Sequence, residues 1–188
     1  VGRAYRYRTL FPSLIKNWRN KWGYELPFFW VQLANFLAPS EQPQESAWAE
    51  LREAQNMTLQ LPSTGQAVAI DIGEANDIHP KNKQEVGRRL ALWALAKDYG
   101  REVAFSGPLF KACTFSEGKA HLTFDFADGG LATFDGQAPS HFEIAGEDKV
   151  FHPATAAIVG NEVVVSSDQV KDPKAVRYAF SSEAMPNL

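Results

Sequence analysis

"QAVAIDIGEANDIHPKNKQEVGRRLALWALAKDYG", residues 66–100, joins three kinds of sequence. "QAVAIDI", 66–72, is short, apolar and β-branched, and reads as a buried strand. From Pro80 to Tyr99 the pattern is helical. Val86, Leu90 and Trp93 form one stripe, Pro80 suits a first turn, where its missing N–H is not needed, and Gly100 suits the end. Between the two lies "DIGEANDIHP", 71–80, in which Asp71, Glu74, Asp77 and the amide Asn76 surround one imidazole, His79.

The same alternation extends toward the amino terminus. "TLFPSLIKNWRNKWG", from Thr9, places Leu14, Ile15, Trp18 and Trp22 at helical spacing and stops at Gly23. "PFFWVQLANF", 27–36, reads as a buried strand. A polar loop with Pro39 and Pro43 follows, then a helix from Ser46 carrying Trp48, Leu51 and Met57. Helix, strand, helix, strand and helix, with continuous apolar strands, predict an α/β fold with a parallel sheet covered by helices.

After Gly100 the period changes. "HLTFDF", 121–126, alternates, with Leu122, Phe124 and Phe126 on one face. "ADGG" supplies a turn before "LATF", and "HFEIAG" and "AVRYAF" alternate again. "AAIVGNEVVV" reads as a hairpin about Gly160–Asn161. Residues 101–188 therefore read as an antiparallel, sandwich-like β unit, set apart from an α/β part at 1–100.

Composition bounds the function. The chain has 188 residues, 45% hydrophobic and 22% charged, as in ordinary globular proteins. A net charge of −3 gives no general attraction to nucleic acid, and Arg3, Arg6 and Arg8 lack an aromatic stacking pattern. One cysteine, Cys113, allows neither an internal disulfide nor a cysteine-based zinc site. No two histidines have metal-ligand spacing, so no metal or other cofactor is expected. No apolar run is long enough for a membrane span: "LPFFWVQLANFLA" is broken by Pro27, Gln32 and Asn35. The chain begins at "VGRAYRYR" without an initiator methionine, which suggests a fragment or a processed chain.

Two readings of "DIGEANDIHP" stand side by side. In the first, the loop leaves the carboxyl end of a parallel strand, where α/β sheets gather their sites, and His79 is a general base. Asp77 is the nearest acid able to fix its tautomer, and Asp71 and Glu74 are within reach. In the second, the loop is solvated, Asp77 caps the next helix and His79 is incidental. His121 lies on the polar face of a strand, His141 starts a strand, His152 has no nearby acids, and no serine has the strand–turn–helix setting of an activated nucleophile.

Taken together, "YRYRTLFPSLIKNWRNKWG", "PFFWVQLANF", "DIGEANDIHPKNKQEVGRRLALWALAKDYG" and "FEIAG" resemble the sialate O-acetylesterase family of the SGNH (GDSL-like) hydrolases. The resemblance implies a serine esterase that removes acetyl groups from sugar hydroxyls. Its fold would be part of a flavodoxin-like three-layer α/β/α domain over residues 1–100, followed by a β-sandwich-like accessory unit over 101–188. The family's serine and oxyanion-hole motifs, of Gly-Gln-Ser-Asn and Gln-Gly-Glu-Ser-Asn type, do not occur here. The chain then corresponds to the carboxy-terminal portion, inactive alone, with an amino-terminal piece as partner carrying the serine.

His79 matches the family's catalytic histidine. The superfamily's aspartate would fall at Asn76, so either Asp77 fills that role or a backbone group supports a Ser–His dyad. Gln32 and Asn35 would line the substrate cleft. The substrate would be an acetylated glycan, sialic acid or a relative, and the location periplasmic or secreted. The alternatives are a non-catalytic carbohydrate-binding or structural piece, an acetylxylan-type esterase, and a two-chain enzyme.

Overall fold

The computed structural model describes residues 2–37 and 42–188. Pro39 and Ser40, in the expected polar loop, lie outside the described residues. The chain forms two compact units. One comprises residues 2–37 with Ser46–Ser106; the other comprises residues 42–45 with Gly107–Leu188.

In the first unit, helix α1 (Tyr7–Trp22) ends where Gly23 takes φ +79° and donates its N–H to Arg19 O at 2.8 Å. Strand β1 (Phe28–Val31) is followed by α2 (Ala47–Met57), whose cap Ser46 accepts the Ala49 N–H at 3.2 Å. Strand β2 (Thr64–Ala67) then pairs parallel to β1, Phe28 opposite Thr64. Helix α3 (Lys83–Lys97) packs on this two-stranded sheet. Gly65 makes that contact possible. A Cβ there would lie 2.7 Å from the rings of both Phe29 and Trp93, so only glycine lets buried Trp93 rest on the strand.

Strand β1 is shorter than its apolar run, and β2 lies earlier than expected, at Thr64–Ala67, sharing only Gln66 and Ala67 with the expected strand 66–72. After Val31 and Ala67 the ladder closes with Gln32 N–H on Ala67 O at 2.9 Å. Beyond it the two chains diverge: Leu33 N–H goes to the Gln55 amide, and the Trp48 indole takes Ala34 O at 2.7 Å. Helix α3 also starts later than Pro80. Its cap is Asn82, which accepts the Glu85 N–H at 3.2 Å. The expectation that Asp77 caps this helix is therefore overturned, because Asn82 holds the position.

One face of α1 is bare. Phe11 meets Trp30 edge-on and Ile15 is fully buried, but Leu10, Leu14, Trp18 and Trp22 are 60%, 47%, 50% and 61% exposed. Their spacing of four residues sets them along one broad stripe.

The second unit is a six-stranded antiparallel sheet. Its strands are β3 (Leu109–Ser116), β4 (Lys119–Asp125), β5 (Phe142–Ala145), β6 (Phe151–Val159), β7 (Glu162–Ser166) and β8 (Ala175–Tyr178), in the order β3-β4-β7-β6-β5-β8. It is one curled sheet, where sequence alternation suggested a sandwich of two. The long strand β6 explains the continuity. Residues 151–154 pair with β5 and residues 155–159 with β7, so no second sheet separates. The β6–β7 hairpin turns at Gly160–Asn161 as expected, with Gly160 at φ +60°.

Ala120, Leu122, Phe142, Ile144, Val163 and Val165 form the buried core. The expected apolar face of 121–126 holds at Leu122 but not at Phe126, which is 45% exposed at φ +60°. Residues 131–134 form no strand, and Phe134 is 80% exposed. Across β5 and β8, Glu143 and Arg177 stand directly opposite and form an ion pair.

Buried Asn187 holds the 133–140 segment in place. Its amide accepts from Ser140 N–H at 2.9 Å and donates to Asp135 Oδ1 at 2.9 Å and Ala138 O at 3.1 Å. Its main-chain carbonyl takes the Phe134 N–H at 3.0 Å.

Candidate functional site

The loop of residues 71–81 leaves the carboxyl end of β2 and is fastened at several points. At its start, Asp71 forms a bidentate pair with Arg89 of α3, at 2.6 and 2.7 Å. Arg89 also donates to Val68 O at 2.7 Å and to Glu85 at 2.8 Å. Two carboxylates and a carbonyl around one guanidinium hold Arg89 in its charged form, its pKa raised chiefly by the hydrogen bond to Asp71. Glu85, bonded by Arg88 and Arg89, falls to about 2.

Further along, Gly73 N–H donates to Asn35 Oδ1 at 2.8 Å, and Leu37 N–H to Ala75 O at 3.0 Å. Glu74 and Asp77 face each other in a short bridge, with Ala75 and the exposed Asn76 at the turn tip. The Glu74 carboxylate takes both the main-chain N–H of Lys81, at 3.2 Å, and its ammonium, at 2.9 Å. The Lys81 hydrogen bonds hold the Glu74 pKa low.

This arrangement distributes the three acids around His79. Asp71 is committed to Arg89 and Glu74 to Lys81. Only Asp77 meets the imidazole, with Oδ1 3.4 Å from Nδ1. The same Oδ1 accepts the His79 N–H at 2.8 Å, an Asx-type turn that sets the ring beside the carboxylate. That main-chain hydrogen bond is the first cause of the lowered Asp77 pKa; the imidazole adds to it. His79 itself is 85% exposed at the side chain, so its ring is open to a reacting group.

Gln32 and Asn35 both give their amides to the main chain. Gln32 is half-buried, with Nε2 3.4 Å from Arg52 O. Asn35 is 3% exposed, and its oxygen is taken by Gly73. Sequence reading passed over Arg89 and Lys81. The signal for Arg89 was its i,i+4 spacing from Glu85 on a helix face. For Lys81 there was none, since its partner lies across a loop.

Among the described residues no group of three or more His, Cys, Asp or Glu could hold a metal ion. No helix among them is long and apolar enough to cross a membrane. A cavity of about 720 Å³ lies within the second unit, lined by Glu117, Lys119, Thr155, Ser166, Asp168 and Gln169 among others.

No family model matches the chain. Its fold matches part of a solved structure of a carbohydrate acetylesterase from Xanthomonas citri, with a TM-score of 0.92 and 50% identity over 98% of this chain and 42% of that one. In sequence, the chain is similar to the sialate O-acetylesterases. It is 33% identical to the Mus musculus protein over 140 residues, 63% of this chain and 26% of that protein. It is 33% identical to the Homo sapiens protein over 122 residues, 55% of this chain and 23% of that protein. The resemblance drawn from the sequence holds. The chain spans about a quarter of the curated relatives it matches and under half of the solved structure.

Proposed function

We propose that this chain is the histidine-bearing part of a carbohydrate esterase that removes O-acetyl groups from sialic acid or a related glycan. The observation that carries the reading is the fastened 71–81 loop. It presents an exposed His79, braced by Asp77 alone, at the carboxyl end of a parallel sheet, in a chain 50% identical to a carbohydrate acetylesterase. A serine outside this chain attacks the acetyl carbon as its proton passes to Nε2 of His79. The imidazolium, with Asp77 at its Nδ1 side, returns that proton to the sugar oxygen as the ester bond breaks. Water then repeats the sequence on the acetyl-serine, releasing acetate and restoring the hydroxyl. Asp77 is a positioning acid in this scheme, and Gln32 the amide on the substrate side. No cofactor takes part.

The bare face of α1 supports a further segment as partner. Leu10, Leu14, Trp18 and Trp22 are apolar and about half exposed or more, and among the described residues no third strand joins the two-stranded sheet. We place the serine on that segment, so that this chain alone is inactive, and place the enzyme in a periplasmic or secreted setting.

The test is hydrolysis of p-nitrophenyl acetate by the active esterase containing this chain. His79→Ala should lower kcat about 10³-fold or more, and Asp77→Ala less. Full activity of His79→Ala would sink the reading. A panel of acetylated sialic acid and acetylated xylan fixes the sugar. The open pocket of the second unit, lined by polar side chains together with Pro153, Ala154 and Val170, favours a second reading, a glycan-binding module. Glycan binding with no hydrolysis by the parent protein would select it.

A further inference from the structure

His79 has no packing of its own. Its side chain is 85% exposed, and the Asp77 carboxylate it pairs with is in the same loop. The place of the imidazole therefore depends on where the loop backbone is fixed. One fixture is a direct seat of the loop on Asn35. A Cβ at Gly73 would fall 2.2 Å from Asn35 Oδ1 and 2.3 Å from Asn35 O, so the loop backbone lies against that residue with no room for a side chain. The Asn35 oxygen takes the Gly73 N–H at 2.8 Å. Two residues along in each segment, Ala75 O takes the Leu37 N–H at 3.0 Å, with Leu37 at φ +80°. Asn35 is itself 3% exposed, and the neighbouring Ala34 O is held by the Trp48 indole at 2.7 Å. The seat is thus tied to α2, outside the loop.

We infer that Asn35 is a positioning residue for His79, acting through the Gly73 N–H and the backbone of residues 73–77 rather than through contact with substrate. The inference rests on His79 being the base. A buried amide that leaves its acceptor oxygen on a backbone N–H fixes position in the way that a substrate-facing amide does not. Removing it leaves the Gly73 N–H without a partner in a close-packed seat and frees the loop to shift. Displacement of a catalytic group by about 1 Å costs about 10²-fold in rate.

The experiment uses the active esterase containing this chain and compares Asn35→Ala, Asn35→Asp and His79→Ala. Asn35→Ala should lower kcat about 10-fold to 100-fold and change KM less than about threefold. Asn35→Asp keeps an acceptor for Gly73 and should recover a large part of kcat. In the 188-residue chain, hydrogen exchange at the Gly73 amide should speed up in Asn35→Ala and be restored in Asn35→Asp. A rise in KM with kcat unchanged would overturn the inference in favour of substrate contact. Loss of thermal stability with kcat and KM intact would overturn it in favour of a merely structural role. Full activity in His79→Ala is a separate result, which defeats the assignment of the base and not the seat of the loop.

Discussion

Asp77 and Asn76 differ by one position and by everything that surrounds them. Sequence reading took Asp77 as the acid nearest His79 and kept Asp71 and Glu74 within reach, because it could not see where those two carboxylates are engaged. What decides is the cation each one meets. Arg89 comes from a helix and Lys81 from the far side of the turn, and these partners are visible only once the loop has closed. Asp77, left to His79, has its pKa lowered from 3.8, first by the His79 main-chain N–H. A carboxyl whose folded pKa is depressed contributes order that is present above its unfolded value and lost as pH falls through the folded one. Carboxyl-carbon NMR of the chain should show Asp77 titrating below 3.8, with the amide resonances of 77–79 moving in step. A midpoint at or above 3.8 would rule out the Asx-type turn in solution.

At the level of elements, the strand–loop–helix order and the hairpin at Gly160–Asn161 were legible, since each has a local cause. Strand ends were not. Five of the seven residues of "QAVAIDI" are apolar, yet β2 stops at Ala67, where the neighbouring chain makes its last ladder bond, from Gln32 N–H. An apolar run records burial, whereas a strand end records the partner. Strand β3 went unseen for the opposite reason: most of its residues are exposed, so it carries no inward-facing run. The tightest element contact hangs on Gly65. Gly65→Ala pushes a methyl group into Phe29 and Trp93 and should destabilise the chain by about 1–3 kcal/mol, read by urea unfolding. A neutral or stabilising result would mean that Trp93 does not lie on the strand.

For the molecule as a whole, the two units differ in how far they account for themselves. The antiparallel sheet encloses its own core. The first unit leaves the α1 stripe in solvent. Helical spacing marked Leu14, Trp18 and Trp22 as a face to be covered but could not say by what, since amphipathicity names the face and never the partner. If the serine-bearing segment covers it, Leu10→Lys with Leu14→Lys should leave the melting temperature of this chain nearly unchanged while abolishing co-purification of that segment. Both side chains are about half exposed or more, so little packing is lost within the chain itself. Association that survives both changes would move the contact elsewhere.

The Asn187 amide sets an order in time. The 133–140 segment is closed by a residue some fifty positions later, and β5 gains its outer neighbour only from β8. During synthesis the first unit can complete its sheet and helices while the second is still being made. The second cannot settle that segment until Asn187 has left the ribosome, because its closing contacts are among the most distant in sequence.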